Sequence, residues 1–174
     1  MEEQKLYVLC GPPGSGKSTW AKKFFSTYYL PHQYKIISRD DIRFALLDEN
    51  DEYFSKENQV FMEYINQIQS AIDSGVLHIV CDATHINTKS REKLLNNLDL
   101  SKIDCINMMC IMPSLDTCLE RNEMRQGRQK VPRGIVRRMY FSFENPKEDT
   151  KYSDKYRIYY FFNEVNNNEQ RTSM

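Results

Sequence analysis

Residues 11–19 read GPPGSGKST, which fits the pattern G-x-x-x-x-G-K-[ST] and constrains the fold more than any other segment. Gly14 and Gly16 allow the backbone to bend so that successive N–H groups point inward at phosphate oxygens. We expect Lys17 to reach the β- and γ-phosphates of a nucleotide and the Ser18 hydroxyl to ligate Mg²⁺. The positive N-terminal end of the helix that begins here adds to the attraction for phosphate.

The surroundings of this segment are those that a phosphate-binding loop requires. The apolar run at 5–10 reads as a buried strand, and 17–29 has helical spacing. The sequence therefore predicts a P-loop that binds ATP, or another nucleoside triphosphate, together with Mg²⁺. The nucleotide-binding residues predicted from the loop are Gly14, Ser15, Gly16, Lys17, Ser18 and Thr19.

Strand-like and helix-like segments alternate along the rest of the chain. Short apolar runs predict strands at 34–38, 76–81, 103–112 and 157–162. Helical spacing predicts helices at 51–75, 88–98, 114–125 and 133–143. This alternation is typical of an α/β fold, and with the P-loop it predicts a P-loop NTPase-type three-layer sandwich. Its sheet is expected to be mostly parallel, and its lid helical and rich in arginine.

The length of 174 residues suits one domain, and the sequence contains neither a repeat nor a long linker. We expect a single P-loop domain at 1–163, with a lid at about 121–138. The polar tail at 164–174 is predicted to be disordered.

Charge is distributed unevenly, although the formal net charge is zero. The segment 121–138 carries seven cations and one acid, a net charge of +6, so the remainder of the chain is −6. A glycine within this arginine-rich stretch indicates a mobile lid whose cations close over the phosphates of ATP. The alternative is a solvated helix face.

The five cysteines include no CxxC pair and lie mostly in apolar runs, which indicates buried free thiols in a reducing compartment. The acidic N-terminus is not typical of a secretory signal, and no apolar stretch is long enough to span a membrane. We therefore expect a cytoplasmic protein, or one in the host cytoplasm if a virus encodes it, without a membrane partner.

The charge cluster RDDIR at 39–43 follows the second predicted strand. Asp40 and Arg43 are three residues apart and would share one face of a helix. The carboxyl ends of parallel strands are where ligands bind, so this cluster opens on the same edge as the P-loop. Asp40 can then take a proton from an acceptor hydroxyl while Arg43 holds an anionic part of the acceptor. Asp41 is expected to point elsewhere, as a first-turn acid favoured by the helix dipole.

Asp82 ends the third predicted strand on the same edge of the sheet. It can orient Mg²⁺-bound water or bind the acceptor, and the alternative is a helix or turn cap. His85 follows closely, and as a lone loop histidine it is expected to be solvated.

Other P-loop functions are less well supported by the sequence. A GTPase requires a base-reading Asn-Lys-x-Asp stretch, and the nearest segment here is NTKS at 87–90. ATP-driven motors usually have a larger chain and an acidic pair after a strand, whereas only Asp82 is present here. A small phosphotransferase needs a base, a metal and cations over the transferring group, and it remains favoured.

Four motifs together resemble the polynucleotide 5′-hydroxyl kinases, in particular the kinase half of the bacteriophage enzymes. They are GPPGSGKSTW, RDDIR, VCDATHIN and RNEMRQGRQKVP…VRRMY, in the family's order and approximate spacing between about Leu6 and Tyr140. The resemblance implies a small P-loop kinase that phosphorylates the 5′-OH ends of RNA or DNA. The catalytic residues that it implies are Asp40, Lys17 and Arg125, with Asp40 as the general base.

The resemblance also implies roles in binding. Arg121 and Arg125 would be lid arginines at the nucleotide, and Ser18 and Asp82 would serve the metal. The acceptor-binding residues that it implies are Arg43, Asp82, Thr84 and Val131, with Arg43 on the phosphate next to the reactive sugar. The stretch between Arg125 and Val131 is one residue longer than the family pattern, so Arg128 competes with Arg125 for the lid role.

The sequence lacks the D-x-D-G-T phosphatase signature that accompanies the phage kinase, so we expect a stand-alone kinase or an excised domain. Two alternatives stay open. A small-molecule kinase of the same branch would keep the P-loop, base and lid with a sugar, nucleotide or antibiotic as the acceptor. An ATP-binding switch or scaffold would bind nucleotide without transferring phosphate.

Overall fold

The computed structural model describes residues 2–161, which form one five-stranded sheet with helices on both faces. The strand order is β2-β3-β1-β4-β5, and each neighbouring pair is parallel. The predicted α/β fold is thereby confirmed. The strands are β1 (Lys5–Cys10), β2 (Tyr34–Ser38), β3 (His78–Asp82), β4 (Cys105–Ile111) and β5 (Tyr156–Phe161). The tail prediction for 164–174 lies outside the described residues, as does residue 162 of the last predicted strand.

The alternation of side-chain directions along β1 explains why the fold has three layers, a sheet with helices on both faces. Leu6 and Val8 belong to the core on one face of the sheet, whereas Tyr7 and Leu9 belong to the core on the other. Successive side chains of a strand point to opposite faces, so a strand that is apolar at every position needs cover on both sides. The cover comes from helices with apolar stripes: α1 (Lys17–Tyr28) on one face, and α3 (Glu57–Asp73) with α4 (Thr88–Leu95) on the other.

The remaining helices are α2 (Arg39–Leu46), α5 (Leu115–Glu123) and α6 (Arg133–Phe141). The helix predicted at 51–75 is wrong at its start, because residues 51–56 form turns and α3 begins only at Glu57. Lys56 precedes the helix and bonds the Leu46 carbonyl at 2.7 Å and the Asp51 carboxylate at 2.8 Å, which fastens the loop at 47–56 instead of extending the helix. A small third apolar cluster joins α5 and α6.

A buried ion pair connects α4 to the segment before β5. Arg91 Nε and Nη2 donate to the two carboxylate oxygens of Asp149 at 2.7 and 2.8 Å, and both side chains are fully buried. The Thr88 hydroxyl also donates to Asp149, at 2.7 Å, and Arg91 Nη1 donates to the His85 carbonyl at 3.2 Å. The pair therefore anchors the chain leading into the edge strand β5 to the loop after β3.

The prediction of buried free thiols is confirmed, because Cys10, Cys81, Cys105, Cys110 and Cys118 are all buried and free. Within residues 2–161, no helix combines the length and the apolar character needed to cross a bilayer.

Candidate active site

Three neighbouring strands bring the predicted site together. β1, β2 and β3 lie side by side and run in the same direction, so the P-loop, the RDDIR cluster and Asp82 open on one edge of the sheet. Ser38, the last residue of β2, pairs directly with Asp82, the last residue of β3. A cleft of about 390 Å³ forms at this edge. Its lining includes eight of the predicted site residues: Lys17, Ser18, Asp40, Arg43, Asp82, Thr84, Arg125 and Val131.

The backbone of the P-loop has the conformation that its glycines permit. Gly14 and Gly16 have φ of 79° and 87°, in the left-handed region. A Cβ on Gly14 would lie 2.2 Å from the Cys118 carbonyl oxygen, so a larger residue cannot fit there. The Ser15 hydroxyl is buried and has no hydrogen-bond partner among the described residues. A buried polar group of this kind is satisfied when a phosphate oxygen provides the partner, which fits the nucleotide site.

Lys17 and Asp82 are two buried side chains of opposite charge beside the loop, and each affects the pKa of the other. Lys17 is 8% exposed, and burial lowers its pKa against the raising effect of Asp82 and Asp40. Asp82 is 5% exposed, and burial raises the pKa of its carboxyl, although Lys17 and a hydrogen bond with Ser18 oppose the change. A hydroxyl oxygen beside a carboxylate is a donor set that suits Mg²⁺, whose other ligands are usually water and phosphate. The residues present therefore fit the metal predicted from the sequence.

Replacing Asp82 by asparagine is expected to separate stability from activity. Phosphate transfer should fall by about 10–100-fold, the usual cost of losing a carboxylate that orients metal-bound groups. The melting temperature at pH 7 should hold or rise, because the buried ionised carboxylate is penalised in the folded state.

The pH dependence of the melting temperature checks this assignment of Asp82. A raised pKa in the folded state means that stability falls as pH rises through that pKa. The advantage of the asparagine variant should therefore be present at pH 7 and absent at about pH 3, below the ordinary carboxyl pKa. A clear loss of stability at pH 7 would instead identify Asp82 as a structural cap.

Asp40 and Arg43 lie on the same face of α2, as predicted. Ser38 caps the helix by accepting from the Asp41 N–H at 3.2 Å, and Arg43 Nη1 donates to Asp40 Oδ1. Asp40 is 60% exposed, whereas Arg43 is 5% exposed. The helix therefore presents a carboxylate at the cleft surface and holds it from below with a buried guanidinium.

Two further residues complete this cluster, and the sequence did not predict either. The Tyr53 hydroxyl donates to Asp40 Oδ1 at 3.2 Å and accepts from Arg43 Nη1 at 3.1 Å. Glu57 accepts from Arg43 Nη2 at 2.9 Å. Their apolar neighbours predict one long helix that includes both residues. The sequence indicates a role for them only in that a tyrosine and an acid follow RDDIR closely.

Asp41 and His85 contradict the expectations for them. Asp41 lines the same cleft instead of pointing away, because both acids lie in the first turn of a short helix at the cleft rim. His85 is buried rather than solvated, with a φ of 37°. Its Nδ1 donates to the Leu9 carbonyl at 2.9 Å, and burial lowers the pKa of the ring to about 4. His85 therefore joins the end of β1 to the loop after β3 as a neutral side chain.

The three arginines considered for the lid occupy three different places. Arg125 lines the cleft and lowers the pKa of Lys17. Arg121 Nη1 donates to the Ser15 carbonyl at 3.1 Å and lines a second cavity of about 450 Å³ on the other side of the P-loop. Arg128 instead donates to the carbonyls of Asp48, at 3.0 Å, and Glu49. In this conformation Arg125, not Arg128, faces the cleft.

Of the last three predicted residues, Thr19 lies in the first turn of α1, and Thr84 and Val131 lie in connecting segments. Thr19 lines the second cavity with Trp20. The Thr84 carbonyl accepts from the Gly11 N–H at 2.9 Å, which fixes the loop after β3 against the P-loop. Val131 is held through its backbone, whose N–H and carbonyl both bond the side-chain amide of Asn122, at 3.0 and 2.7 Å. Thr84 is therefore positioned by the P-loop, and Val131 by Asn122 of α5.

Known proteins resemble this chain in sequence. A model of the AAA domain family matches residues 6–146. The chain is 28% identical over 153 residues to the "Putative bifunctional polynucleotide kinase/RNA ligase" of Autographa californica nuclear polyhedrosis virus. That match covers 80% of this chain and 21% of the viral protein, so the chain spans about a fifth of the length of this curated relative.

Solved structures share the fold. A chain of the Pnkp1/Rnl/Hen1 RNA repair complex superposes with a TM-score of 0.68 at 20% identity, over 82% of this chain and 44% of that chain. A sugar kinase from Janibacter sp. HTCC2649 superposes with a TM-score of 0.51 at 16% identity, over 91% of this chain and 85% of that chain. These likenesses show the fold alone, and one of the two structures is named as a sugar kinase. The resemblance to polynucleotide kinases seen in the motifs is confirmed as a similarity, and it leaves the acceptor open.

Proposed function

We propose that this chain, which belongs to the AAA domain family by the match over residues 6–146, is a P-loop kinase. It would transfer the γ-phosphate of ATP to the 5′-hydroxyl of a polynucleotide. The observation that carries this proposal is the position of Asp40. Its exposed carboxylate lies in the same cleft as Lys17 and is held by Arg43 and Tyr53. A switch or scaffold that only binds nucleotide has no use for an oriented carboxylate at that place.

The residues of the cleft divide the work of phosphate transfer. Asp40 accepts the proton of the acceptor hydroxyl while the oxygen forms a bond to the γ-phosphorus and the bond from that phosphorus to the bridging oxygen of ADP breaks. Lys17 and Arg125 neutralise charge on the transferring group and on ADP. Ser18 would hold bound Mg²⁺ and Asp82 would orient it, and the metal would supply further neutralisation of the phosphate oxygens. We also propose that residues 121–138 act as the lid over these groups.

Arg43 supports an anionic acceptor. Nη1 and Nη2 hold Asp40, Tyr53 and Glu57, while Nε is buried without a hydrogen-bond partner among the described residues. A guanidinium can pair two oxygens of a phosphate, which a lysine ammonium cannot reproduce. In a polynucleotide this phosphate is the one 3′ to the reactive sugar, so we propose that Arg43 reads it. The resemblance to polynucleotide kinases implies the same contact.

Replacing Arg43 by lysine tests this contact through a ratio of two acceptors. In the wild-type protein a nucleoside 3′-phosphate should be a good acceptor and the bare nucleoside a poor one. Arg43 also holds Asp40, so the variant should lose activity with both acceptors. The ratio of their kcat/KM values should nevertheless fall by at least about tenfold, because only the phosphorylated acceptor loses a charge-assisted hydrogen bond. An unchanged ratio would show that Arg43 does not read the phosphate.

The second candidate is a small-molecule kinase, and one observation favours it. A cleft of about 390 Å³ is large enough for a sugar or a nucleotide. Such an acceptor fits without a nucleic-acid strand that extends outside the cleft. The fold is shared with a structure named as a sugar kinase. Phosphate transfer to a free sugar, with none to nucleoside 3′-phosphates or oligonucleotides, would favour this candidate.

A further inference from the structure

The loop at 47–56, between α2 and α3, carries an exposed aromatic ring into the cleft. Phe54 is 63% exposed and lines the cleft that contains Asp40. Its ring meets the edge of Tyr53 with a centroid separation of 4.7 Å, and the Arg43 guanidinium lies 5.8 Å from its centre. A large apolar side chain that is open to solvent at a binding site is available to a ligand.

This loop is fastened at several points. Lys56 Nζ bonds the Leu46 carbonyl at 2.7 Å and the carboxylates of Asp51 and Asp48 at 2.8 and 3.2 Å. Arg128 of the lid donates to two carbonyls of the same loop. The loop that carries Phe54 is therefore held by contacts within the loop and with Arg128, so Phe54 is positioned at the cleft before a ligand arrives. A pre-oriented surface lowers the cost of binding.

The place of Phe54 relative to the catalytic carboxylate limits what it can contact. Its chain neighbour Tyr53 bonds Asp40 directly. An acceptor whose hydroxyl reaches Asp40 lies in the same cleft as the ring of Phe54, so its other parts can contact that ring. The flat group attached to the reactive sugar of a nucleic acid is the base, and bases stack on phenylalanine without regard to their identity.

From this arrangement we infer that Phe54 is the stacking platform for the nucleobase at the 5′ end of the acceptor strand. The inference rests on the proposed function and names a feature of its substrate that the P-loop and Asp40 do not require. It makes the acceptor a base-bearing end, because a ring can stack on Phe54 only where one face of the terminal base is open. Arg43 and Phe54 would then hold the phosphate and the base on either side of the sugar.

Direct binding tests the inference without depending on catalysis. A short fluorescent 5′-hydroxyl strand is compared with the same strand whose first residue lacks its base, and the dissociation constants are measured by anisotropy. Phe54→Ala should weaken binding of the base-bearing strand by about tenfold, the scale of one base–aromatic stack. Its affinity for the abasic strand should stay unchanged, and Phe54→Trp should restore the preference for the base.

Phe141→Ala is the matched control. Phe141 is 70% exposed on α6 and is not among the described residues that line the cleft, so its removal should affect neither strand. Equal losses on both strands with Phe54→Ala, no loss on either, or wild-type protein that does not prefer the base-bearing strand would each overturn the inference. Wild-type protein that shows the preference for the base yet phosphorylates no 5′-hydroxyl would contradict the proposed function while supporting the stacking role.

Discussion

Asp40→Asn is expected to reduce phosphate transfer by about 10²–10⁴-fold, the usual contribution of a general base. Asparagine keeps the shape of the side chain and can still accept a hydrogen bond from Arg43, but it cannot take the proton of the acceptor hydroxyl. Asp40 is 60% exposed, so the melting temperature should hardly change. Binding of ATP should also persist, because the P-loop amides and Lys17 provide it. Single-turnover transfer and nucleotide titration measure the two quantities separately.

Asp41→Asn provides the control for this change. Asp41 is next in the chain, lines the same cleft, and makes no side-chain hydrogen bond to Arg43 or Tyr53 among the described contacts. Its replacement removes the same charge and should cost much less than the replacement of Asp40. Equal losses from the two variants would indicate a general electrostatic effect instead of proton transfer. Parallel losses of stability and activity in Asp40→Asn would mark the carboxylate as a structural element.

Arg91→Met is expected to lower the free energy of unfolding by about 3–5 kcal/mol, because it leaves the buried carboxylate of Asp149 without its partner. Burial raises the pKa of Asp149, but the hydrogen bonds from Arg91 and Thr88 outweigh that effect and hold the pKa below its usual value. A lowered folded-state pKa contributes stability above the ordinary carboxyl pKa and loses it as pH falls through the folded-state value. Urea unfolding at several pH values should show this contribution in the wild-type protein and not in the variant.

The double variant Arg91→Met with Asp149→Leu separates the cost of an unpaired charge from the value of the pair. Replacing both members of a buried ion pair with apolar residues is often neutral or stabilising. Much of the stability lost in Arg91→Met should therefore return. A double variant as unstable as the single one would show that the hydrogen bonds to Thr88 and the His85 carbonyl hold this region together.

The parts of the fold that follow local rules could be predicted from the sequence. The spacing of GPPGSGKST fixes a strand, a turn and a helix in order, and the rule for parallel strands puts the next two strand ends beside them. For this reason one cleft is lined by Asp40, Arg43 and Asp82. Their positions needed only the identity of the strand that each follows, and no knowledge of distant contacts.

The parts that depend on distant or competing contacts could not be predicted. The pattern of apolar residues in α3 continues upstream into 51–56, so periodicity alone extended the helix over a loop that lysine and carboxylate contacts fasten. For this reason the sequence does not predict Tyr53 as a hydrogen-bond partner of Asp40. Asp149 lies 58 residues from Arg91, and no local signal connects them. The prediction of a solvated His85 is wrong because its hydrogen-bond partner is the carbonyl of Leu9, and the sequence does not show which backbone groups lie nearby.

The most direct measurement of polynucleotide kinase activity is a competition between acceptors. The protein is incubated with Mg²⁺, ATP labelled on the γ-phosphate, and an equimolar mixture of a 5′-hydroxyl oligonucleotide, free sugars and nucleosides. We predict that the label appears on the 5′-terminal residue of the oligonucleotide, and that Asp40→Asn removes it while ATP binding persists. Label on a sugar or a nucleoside with none on the oligonucleotide, or ATP binding without any labelled product, would contradict the proposed function.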